Sequence, residues 1–301
     1  MIYQVLAWDN LCDAWERVAD NRGAPGIDGM SIGRFARHWE EHLRRLRELV
    51  LGNRYRPGKL RRIAVPKRSG GQRLLSIPSV ADRVLQRAAL NVLDDRFERR
   101  FLDCSYGYRV GRGLRDALAD ILRYRDRGLV WVLDADIDDC FDSLDHGLLL
   151  EFLAEEVHDP LLMGLIRAWL RIGRRTTNPD RGIPLGMPLS PLCCNVYLHR
   201  LDWALVRRRW KPVRFADDFV VCCASRSQAE RGQGVVTEIL DGLRLRLEAS
   251  KTHITSFDEG FEYLGVRFEG DRYSFTWEGK HIQVEGPTPR WLWGYMPTEY
   301  E

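Results

Sequence analysis

The chain has 301 residues, of which 45% are hydrophobic and 30% charged, and its formal net charge is +3. This composition excludes disordered and fibrous proteins, and the length allows one large domain or two interleaved subdomains with a sizeable core. The near balance of 46 basic and 43 acidic residues does not by itself indicate a nucleic-acid partner. Charges interrupt the amino terminus and no stretch approaches 18 unbroken apolar residues, so we expect no signal peptide, no membrane span and a cytoplasmic location.

Cysteine usage favours a reducing environment. Two adjacent pairs, Cys193-Cys194 and Cys222-Cys223, lie inside apolar runs, and neither a CxxC motif nor a Cys/His zinc spacing is present. We therefore expect small core side chains rather than disulfides or zinc ligands.

The first hundred residues predict helices around one hairpin. Apolar positions recur at helical spacing over 3–20 and 31–50, with a loop rich in Gly and Pro between them. Residues 60–77 then predict a strand, a Gly-Gly turn and a second strand. A Ser cap followed by helical periodicity predicts a helix over 79–97.

The middle of the chain predicts a buried strand between helices. Residues 114–126 are helical in pattern, and the apolar run at 129–137 predicts a buried strand that ends in acidic residues. Residues 146–172 are again helical in pattern, 181–191 form a Gly/Pro loop, and 192–210 begin a further helix that ends in basic residues.

The last third predicts two sets of strands. Residues 213–225 place an Asp-Asp pair between two apolar half-strands, which indicates a hairpin with acids at its tip. Residues 227–248 predict a helix, and three alternating segments between 261 and 286 predict a small antiparallel sheet. Three Pro residues in the tail at 287–301 indicate an irregular course over the surface.

The acidic residues at the ends of these strands predict a metal site. An unpaired carboxylate inside an apolar strand costs several kcal/mol, and a bound cation removes that cost. Mg²⁺ prefers hard oxygen ligands, and Asp136 with Asp217 and Asp218 would suffice for two ions about 4 Å apart, the spacing used in phosphoryl displacement. The alternative from these residues alone is that the Asp-Asp pair is a polar turn.

Several motifs, read in chain order over roughly residues 25–268, resemble those of reverse transcriptases, specifically of the bacterial group II intron type. The most specific is the aromatic-Ala-Asp-Asp box. The main motifs are IAVPKRSGGQRLLSIP at 63–78, LDADIDDCFDSLDH at 133–146, GIPLGMPLSPLCCNVYLHRLD at 182–202, FADD at 215–218 and FEYLGVRF at 261–268.

The resemblance implies an α+β fold, the fingers and palm of a right-hand polymerase, with an antiparallel palm sheet backed by helices and a reduced or absent thumb. It further implies a division of the chain into segments. These are fingers at 1–130, a palm strand with the first catalytic Asp at 131–145, a helical connection at 146–180, the palm with the FADD hairpin and primer grip at 181–268, and a short hairpin and tail at 269–301.

The same resemblance assigns the catalytic machinery. Asp136, Asp217 and Asp218 match the metal-binding triad of the family, and the Ile137 carbonyl would add a ligand to one of two Mg²⁺ ions, for which Mn²⁺ may substitute. Lys251 matches a lysine that is proposed to protonate the pyrophosphate leaving group.

A nucleotide pocket is also implied. Phe141 matches an aromatic residue that clashes with a ribose 2′-hydroxyl, so we expect a preference for deoxynucleotides. The loop around Leu185 carries Leu where group II enzymes usually have Gln, which concerns nucleotide affinity and fidelity rather than activity. The predicted nucleotide contacts are Lys67, Arg73, Asp139, Cys140, Phe141, Leu185 and Gly186.

Primer and template contacts complete the predicted site. Tyr263, Leu264 and Gly265 match the primer grip, although such a sequence in an alternating strand is otherwise ordinary core. Arg109 and Arg112 lie in a basic loop with aromatic residues, which suits a template backbone or a stacked base.

We therefore expect an RNA-directed DNA polymerase that adds dNTPs to a primer 3′-OH on an RNA template, with a DNA or RNA primer. About 33 residues follow Phe268, so we expect a partner chain to supply a thumb, the hairpin at 271–285 to replace it, or the chain to be cut before it. The expected protein partner is a CRISPR integrase or another chain that supplies the thumb, with spacer acquisition from RNA or antiphage defence as the setting. The alternative is a catalytically idle nucleic-acid-binding assembly subunit with the same fold.

Overall fold

The computed structural model describes residues 1–66, 71–172, 179–277 and 280–285. Lys67 and the tail at 287–301, both subjects of predictions above, lie outside the described residues. The chain divides into two compact units. We name Met1–Arg100 with Phe141–Tyr197 the helical unit, and Phe101–Cys140 with the described residues from Leu198 onward the sheet unit.

The described residues contain both helices and antiparallel strands, which confirms the predicted α+β class. The helices are α1 (Ile2–Val5), α2 (Trp8–Asp20), α3 (Ile32–Ala36), α4 (Trp39–Leu51), α5 (Val80–Glu98), α6 (Leu114–Asp126), α7 (Cys140–Ser143), α8 (His146–Ala154), α9 (Pro160–Ile172), α10 (Ser190–Arg207) and α11 (Arg226–Gly242). The strands are β1 (Arg61–Pro66), β2 (Gln72–Ile77), β3 (Trp131–Ala135), β4 (Lys211–Phe215), β5 (Asp218–Cys223), β6 (His253–Ser256), β7 (Phe261–Tyr263), β8 (Val266–Glu269), β9 (Arg272–Trp277) and β10 (Lys280–Glu285).

The helical unit is built around α5. Ser79 caps this helix by accepting a hydrogen bond from the Asp82 amide, as its sequence predicts. Helix α2 packs against α5 through an apolar stripe at helical spacing that includes Leu11, Ala14 and Val18. Strands β1 and β2 pair antiparallel in the predicted hairpin.

Residues 146–172 are helical as predicted, but they form two helices. Helix α8 ends at Ala154 and α9 begins at Pro160. Proline lacks the amide that a helix interior needs and is favoured in a first helical turn. Asp159 caps the new helix, because its carboxylate accepts hydrogen bonds from the amides of Leu161 and Leu162.

The sheet unit contains two four-stranded antiparallel sheets. The central sheet has the order β4-β5-β3-β6, and the second sheet, which we call the meander, has the order β10-β9-β8-β7. Helix α11 packs against β3, β5 and β6, and α6 packs against β4 and β5. Both inner strands, β3 and β5, are therefore largely covered, which explains why their sequences are almost continuously apolar.

Helix α11 ends at Gly242, six residues before the predicted end at 248. Arg244 has a positive φ of 56°, which takes the chain out of the helix. Leu247 then forms an isolated antiparallel bridge with Ile137. Tertiary pairing beside the end of β3 thus overrides the helical pattern of the last residues.

The two adjacent cysteine pairs are buried, as predicted, and their thiols are free. No helix in the described ranges is long and apolar enough to cross a bilayer.

Candidate active site

The Asp-Asp pair lies at the tip of the β4–β5 hairpin, as predicted. Phe215 pairs with Asp218, which leaves Ala216 and Asp217 as the two central residues of the turn. Ala216 has φ +58° whereas Asp217 does not have a positive φ, as in type II′ turns, where glycine usually takes the first central position. The turn thus brings two carboxylates to the hairpin tip, and Ala216 adopts a strained left-handed conformation to form it.

Asp136 follows directly after β3, next to this tip. Strand β3 pairs antiparallel with β5, and its last residue, Ala135, lies opposite Phe219. Continuing the register by one residue places Asp136 opposite Asp218. The Asp136 carbonyl also accepts a hydrogen bond of 2.9 Å from the Glu248 amide. The three predicted carboxylates therefore lie on neighbouring strands at one end of the central sheet.

Lys251 contacts this carboxylate group. Its Nζ donates a hydrogen bond of 2.5 Å to Asp136 Oδ2, and 62% of its side chain remains exposed. The hydrogen bond to Asp136 raises the pKa of Lys251, so the side chain is an ammonium ion at neutral pH. The structure thus brings together all four residues that were predicted to be catalytic.

Burial and neighbouring negative charge raise the pKa values of Asp217 and Asp218. Burial raises the pKa of Asp217, and the charge of Asp136 raises it further. Around Asp218, desolvation by neighbouring atoms and then the charges of Asp217 and Asp136 raise the pKa to about 7. The Asp218 side chain still reaches solvent, so repulsion from the neighbouring charges also contributes to this rise. Added positive charge would therefore favour the ionised forms of Asp217 and Asp218.

Asp134 is a fourth acidic residue that the sequence analysis missed. Burial raises its pKa to about 6, the nearby His253 opposes this, and Asp136 adds to it. His253 Nε2 lies 3.6 Å from Asp134 Oδ2 across the β3–β6 pair. Residues two apart on a strand share a face, so the spacing of Asp134 and Asp136 was the signal that could have revealed it.

Hard oxygen donors make this group chemically suited to a divalent cation. Within the described ranges, no three acidic, His or Cys side chains are already gathered as a metal cage. Lys251 is instead the positive partner of Asp136. The donor chemistry and the raised pKa values of Asp217 and Asp218 therefore fit a bound cation, which Asp136, Asp217 and Asp218 would hold.

The segment after Asp136 is held close to the carboxylates. Two hydrogen bonds flank the Ile137–Leu247 bridge: the Glu248 amide donates to the Asp136 carbonyl, and the Asp138 amide donates to the Arg246 carbonyl. The Ile137 carbonyl takes part in neither bond. Asp139 is exposed and has φ +40°, whereas Cys140 is buried at the start of α7. A nucleotide contact from Cys140 would therefore involve its main chain.

In the helical unit, main-chain hydrogen bonds hold two of the predicted nucleotide residues, Phe141 and Leu185. The Phe141 carbonyl accepts from the Ile183 amide at 2.7 Å, and the Leu185 carbonyl accepts from the Ser76 amide at 2.7 Å. Gly186 has φ +98°, and a Cβ there would lie 2.5 Å from the Ser76 carbonyl oxygen. The loop thus requires glycine at this position. Main-chain hydrogen bonds connect the loop to β2 and to the segment that contains Phe141.

Arg73 lies three residues before Ser76 on the same strand. It pairs with Val65 across the hairpin and is exposed. The Phe141 side chain is half-buried, so it is not a fully enclosed core residue. Ser76 was not predicted as a site residue, because only the tertiary contact shows that it holds the Leu185 loop.

The predicted primer grip forms the turn between β7 and β8. Leu264 and Gly265 both have positive φ, as in type I′ hairpin turns. The Tyr263 side chain is buried, and its hydroxyl lies 3.2 Å from the carbonyl oxygens of both Val213 and Asp218. Tyr263 thus supports the hairpin that carries the Asp-Asp pair, and a primer contact by this turn stays a prediction.

The guanidinium groups of the two predicted template residues have internal partners. Arg109 is buried and donates to the carbonyls of Leu102 and Ser105. Arg112 donates to the Asp103 carbonyl at 2.9 Å and forms an ion pair with its carboxylate. These contacts shape the loop, and contact with a template stays a prediction.

Comparison with known proteins agrees with this geometry. Residues 65–268 match the family described as reverse transcriptase (RNA-dependent DNA polymerase). Protein YkfC of Escherichia coli is 30% identical, over 85% of this chain and 79% of that protein. The group II intron-encoded protein LtrA of Lactococcus lactis is also 30% identical, over 66% of this chain but only 34% of LtrA.

Among solved structures, apo telomerase of Candida tropicalis, truncated from its C-terminal domain, matches 70% of this chain and 53% of its own chain. Its TM-score is 0.54 at 14% identity, which supports the fold alone. The match at 65–268 and the similarity to YkfC over most of both chains show that this chain belongs to the reverse transcriptase family, as an RNA-directed DNA polymerase of the group II intron-like type.

Proposed function

We propose that this chain extends the 3′-hydroxyl of a primer with dNTPs on an RNA template, and that Asp136, Asp217 and Asp218 are the metal ligands. The observation that carries the proposal is the position of these carboxylates at one end of the central sheet, where the pKa of Asp218 rises to about 7. Such a group is stabilised by added positive charge, and the family generally uses divalent metal ions.

Two bound Mg²⁺ ions, or Mn²⁺ ions in their place, would activate the primer hydroxyl and stabilise the leaving pyrophosphate. The contribution of the chain is to fix the carboxylates on strands rather than on loops. Main-chain pairing sets the separation of Asp136 and Asp218, and the two-residue turn sets the position of Asp217.

Lys251 is the proton donor in this proposal. Its ammonium group lies next to the carboxylates, is largely exposed, and has a raised pKa. A proton on Nζ is therefore available at neutral pH for transfer to the pyrophosphate oxygen that leaves. The ion pair with Asp136 keeps Nζ close to the carboxylates until substrate binds.

The nucleotide pocket belongs to the proposal as well. Phe141 would exclude a ribose 2′-hydroxyl, and its carbonyl bond to Ile183 ties it to the loop of Leu185 and Gly186. Arg73 and Lys67 would contact the triphosphate through charge-assisted hydrogen bonds. The amides at 139–141 would face the same phosphates.

Primer extension tests the proposal. Wild-type protein should incorporate dNTPs on a primed RNA template with Mg²⁺, and the variant with Asp217→Ala and Asp218→Ala should not. A matched control is the adjacent pair Asp94 and Asp95 in α5, whose double alanine variant should keep activity. Wild-type protein that is inert on every primed template, with a partner present, would refute the proposal.

An idle assembly subunit is the competing function. It would bind RNA with the usual dependence on salt but show no metal binding that depends on the carboxylates. The raised pKa values of Asp217 and Asp218 favour the enzyme, because ionised carboxylates with raised pKa values destabilise the fold at neutral pH unless a cation binds them.

The setting that we propose is CRISPR spacer acquisition from RNA, with an integrase as protein partner, or antiphage defence. It is supported by the resemblance to compact group II-like enzymes alone. Purification of the tagged chain from its native host tests it, since an integrase or a defence protein should co-purify in stoichiometric amount.

A further inference from the structure

A buried arginine lies directly behind the hairpin tip. Arg214 in β4 and Asp202 in α10 are each 1% exposed, and they form a bidentate ion pair. The Arg214 Nε–Asp202 Oδ1 distance is 2.7 Å and the Nη2–Oδ2 distance is 2.6 Å. Two parallel hydrogen bonds of this kind fix the plane of the guanidinium group.

The other donors of this guanidinium reach the main chain of the tip and a neighbouring segment. Nη1 donates to the Ala216 carbonyl at 2.6 Å, and Nη2 donates to Ser105 Oγ at 2.7 Å. The main chain of Arg214 is held as well, because its amide donates to Cys104 and its carbonyl accepts from Tyr106. The side chain therefore connects α10, the segment at 104–106 and the turn.

The bond to Ala216 matters because of where that carbonyl lies. It belongs to the peptide group that joins Ala216 to Asp217, so fixing the carbonyl fixes the direction in which the chain enters Asp217. Ala216 has φ +58°, which an alanine adopts only when its surroundings impose it. On the far side of the turn, the Tyr263 hydroxyl lies 3.2 Å from the Asp218 carbonyl.

We infer that Arg214, held by Asp202, is a positioning residue that fixes the Ala216–Asp217 peptide and so the orientation of the Asp217 and Asp218 carboxylates. Asp202 contributes by neutralising the buried guanidinium and by orienting its fork toward the turn. The inference rests on the proposed function, because it assigns these carboxylates to the reaction.

The decisive variant is Arg214→Lys. Lysine keeps the charge opposite Asp202 but has a single ammonium group, which cannot reproduce a bidentate pair together with a bond to Ala216. The matched control is Arg83→Lys in the helical unit, where a buried arginine donates to the Ala24 carbonyl. If Arg214→Lys does not fold, the pair Asp202→Leu with Arg214→Met replaces it, because apolar residues of similar volume often substitute for a buried ion pair without loss of stability.

Hydrogen–deuterium exchange provides a readout that does not depend on activity. Exchange in the peptide spanning residues 213–219 should become about tenfold faster in Arg214→Lys, the factor that corresponds to one lost hydrogen bond. Exchange in the rest of the sheet unit should stay unchanged. The Arg83→Lys control should leave the peptide at 213–219 as in wild type.

Kinetics provides the second readout. Arg214→Lys should lower kcat for primer extension by roughly ten- to a hundredfold with little change in the KM for dNTP, as expected for misplaced catalytic groups. Adding Ala216→Gly should restore part of kcat, because glycine adopts a positive φ without the guanidinium. A general loss of stability would not be rescued in this way.

Unchanged exchange at 213–219 in folded Arg214→Lys would overturn the inference, as would a kcat equal to that of wild type or of Arg83→Lys. These outcomes are separate from failure of the proposed function, which would appear as an inert wild-type protein. In that case the exchange experiment still decides whether Arg214 fixes the turn.

Discussion

Gly107 lies where an added methyl group would collide with the hairpin that carries the Asp-Asp pair. A Cβ at this position would lie 2.5 Å from the Ala216 nitrogen and 3.1 Å from the Phe215 carbonyl carbon. Because favourable contact begins at about 3.5 Å, Gly107→Ala has to displace the tip or its neighbour by roughly 1 Å. A displacement of that size at a catalytic group costs on the order of a hundredfold in rate.

Single-turnover primer extension measures the loss of rate, and a thermal melt measures the loss of stability. We expect kcat to fall by about a hundredfold, and overpacking to destabilise the fold by about 1–3 kcal/mol. The control is Gly234→Ala in α11, where a Cβ meets open space and alanine is the better helix former. A folded Gly107→Ala protein with the kcat of wild type would refute the claim that the tip geometry controls the reaction.

Three further predictions follow from single residues. Gly186→Ala should raise the KM for dNTP, because its Cβ would lie 2.5 Å from the Ser76 carbonyl oxygen, and an unchanged KM would remove this loop from the pocket. Lys251→Gln should lower kcat by about a hundredfold or more and flatten the alkaline limb of the pH–rate profile, whereas a solvated lysine would leave both unchanged. Burial raises the pKa of Asp94 to about 6, above its unfolded value, so wild-type stability falls as pH rises from about 4 to 6. Asp94→Asn should therefore raise the melting temperature at neutral pH, with a gain that vanishes below about pH 4; a gain independent of pH would contradict it.

The sequence pattern predicted those elements whose structure depends on residues close together in the chain. The hairpin at 211–223 was predictable because apolar half-strands flank two acids, and the buried strand before Asp136 was predictable from its continuous apolar run. The ends of helices were less predictable from the sequence. The pattern over 227–248 is helical, yet the chain leaves the helix after Gly242 to pair beside Ile137.

Long-range polar contacts were not predictable. The sequence does not distinguish Arg214 from the other basic residues. Its partners Asp202 and Ser105 lie 12 and 109 residues earlier in the chain. The internal role of Arg109 was also not predictable, because the pattern of a basic residue among aromatics does not show that its guanidinium donates to main-chain carbonyls. A single sequence states which residues are polar but not which buried groups they satisfy.

Counting bound Mn²⁺ by electron paramagnetic resonance tests the central claim most directly. The sample is wild-type protein with an RNA template, a primer that lacks its 3′-hydroxyl, and the matching dNTP. The account predicts two ions per protein, and a loss of both affinity and stoichiometry in the variant with Asp217→Asn and Asp218→Asn. Equal Mn²⁺ binding by the two proteins in an assembled complex would contradict it.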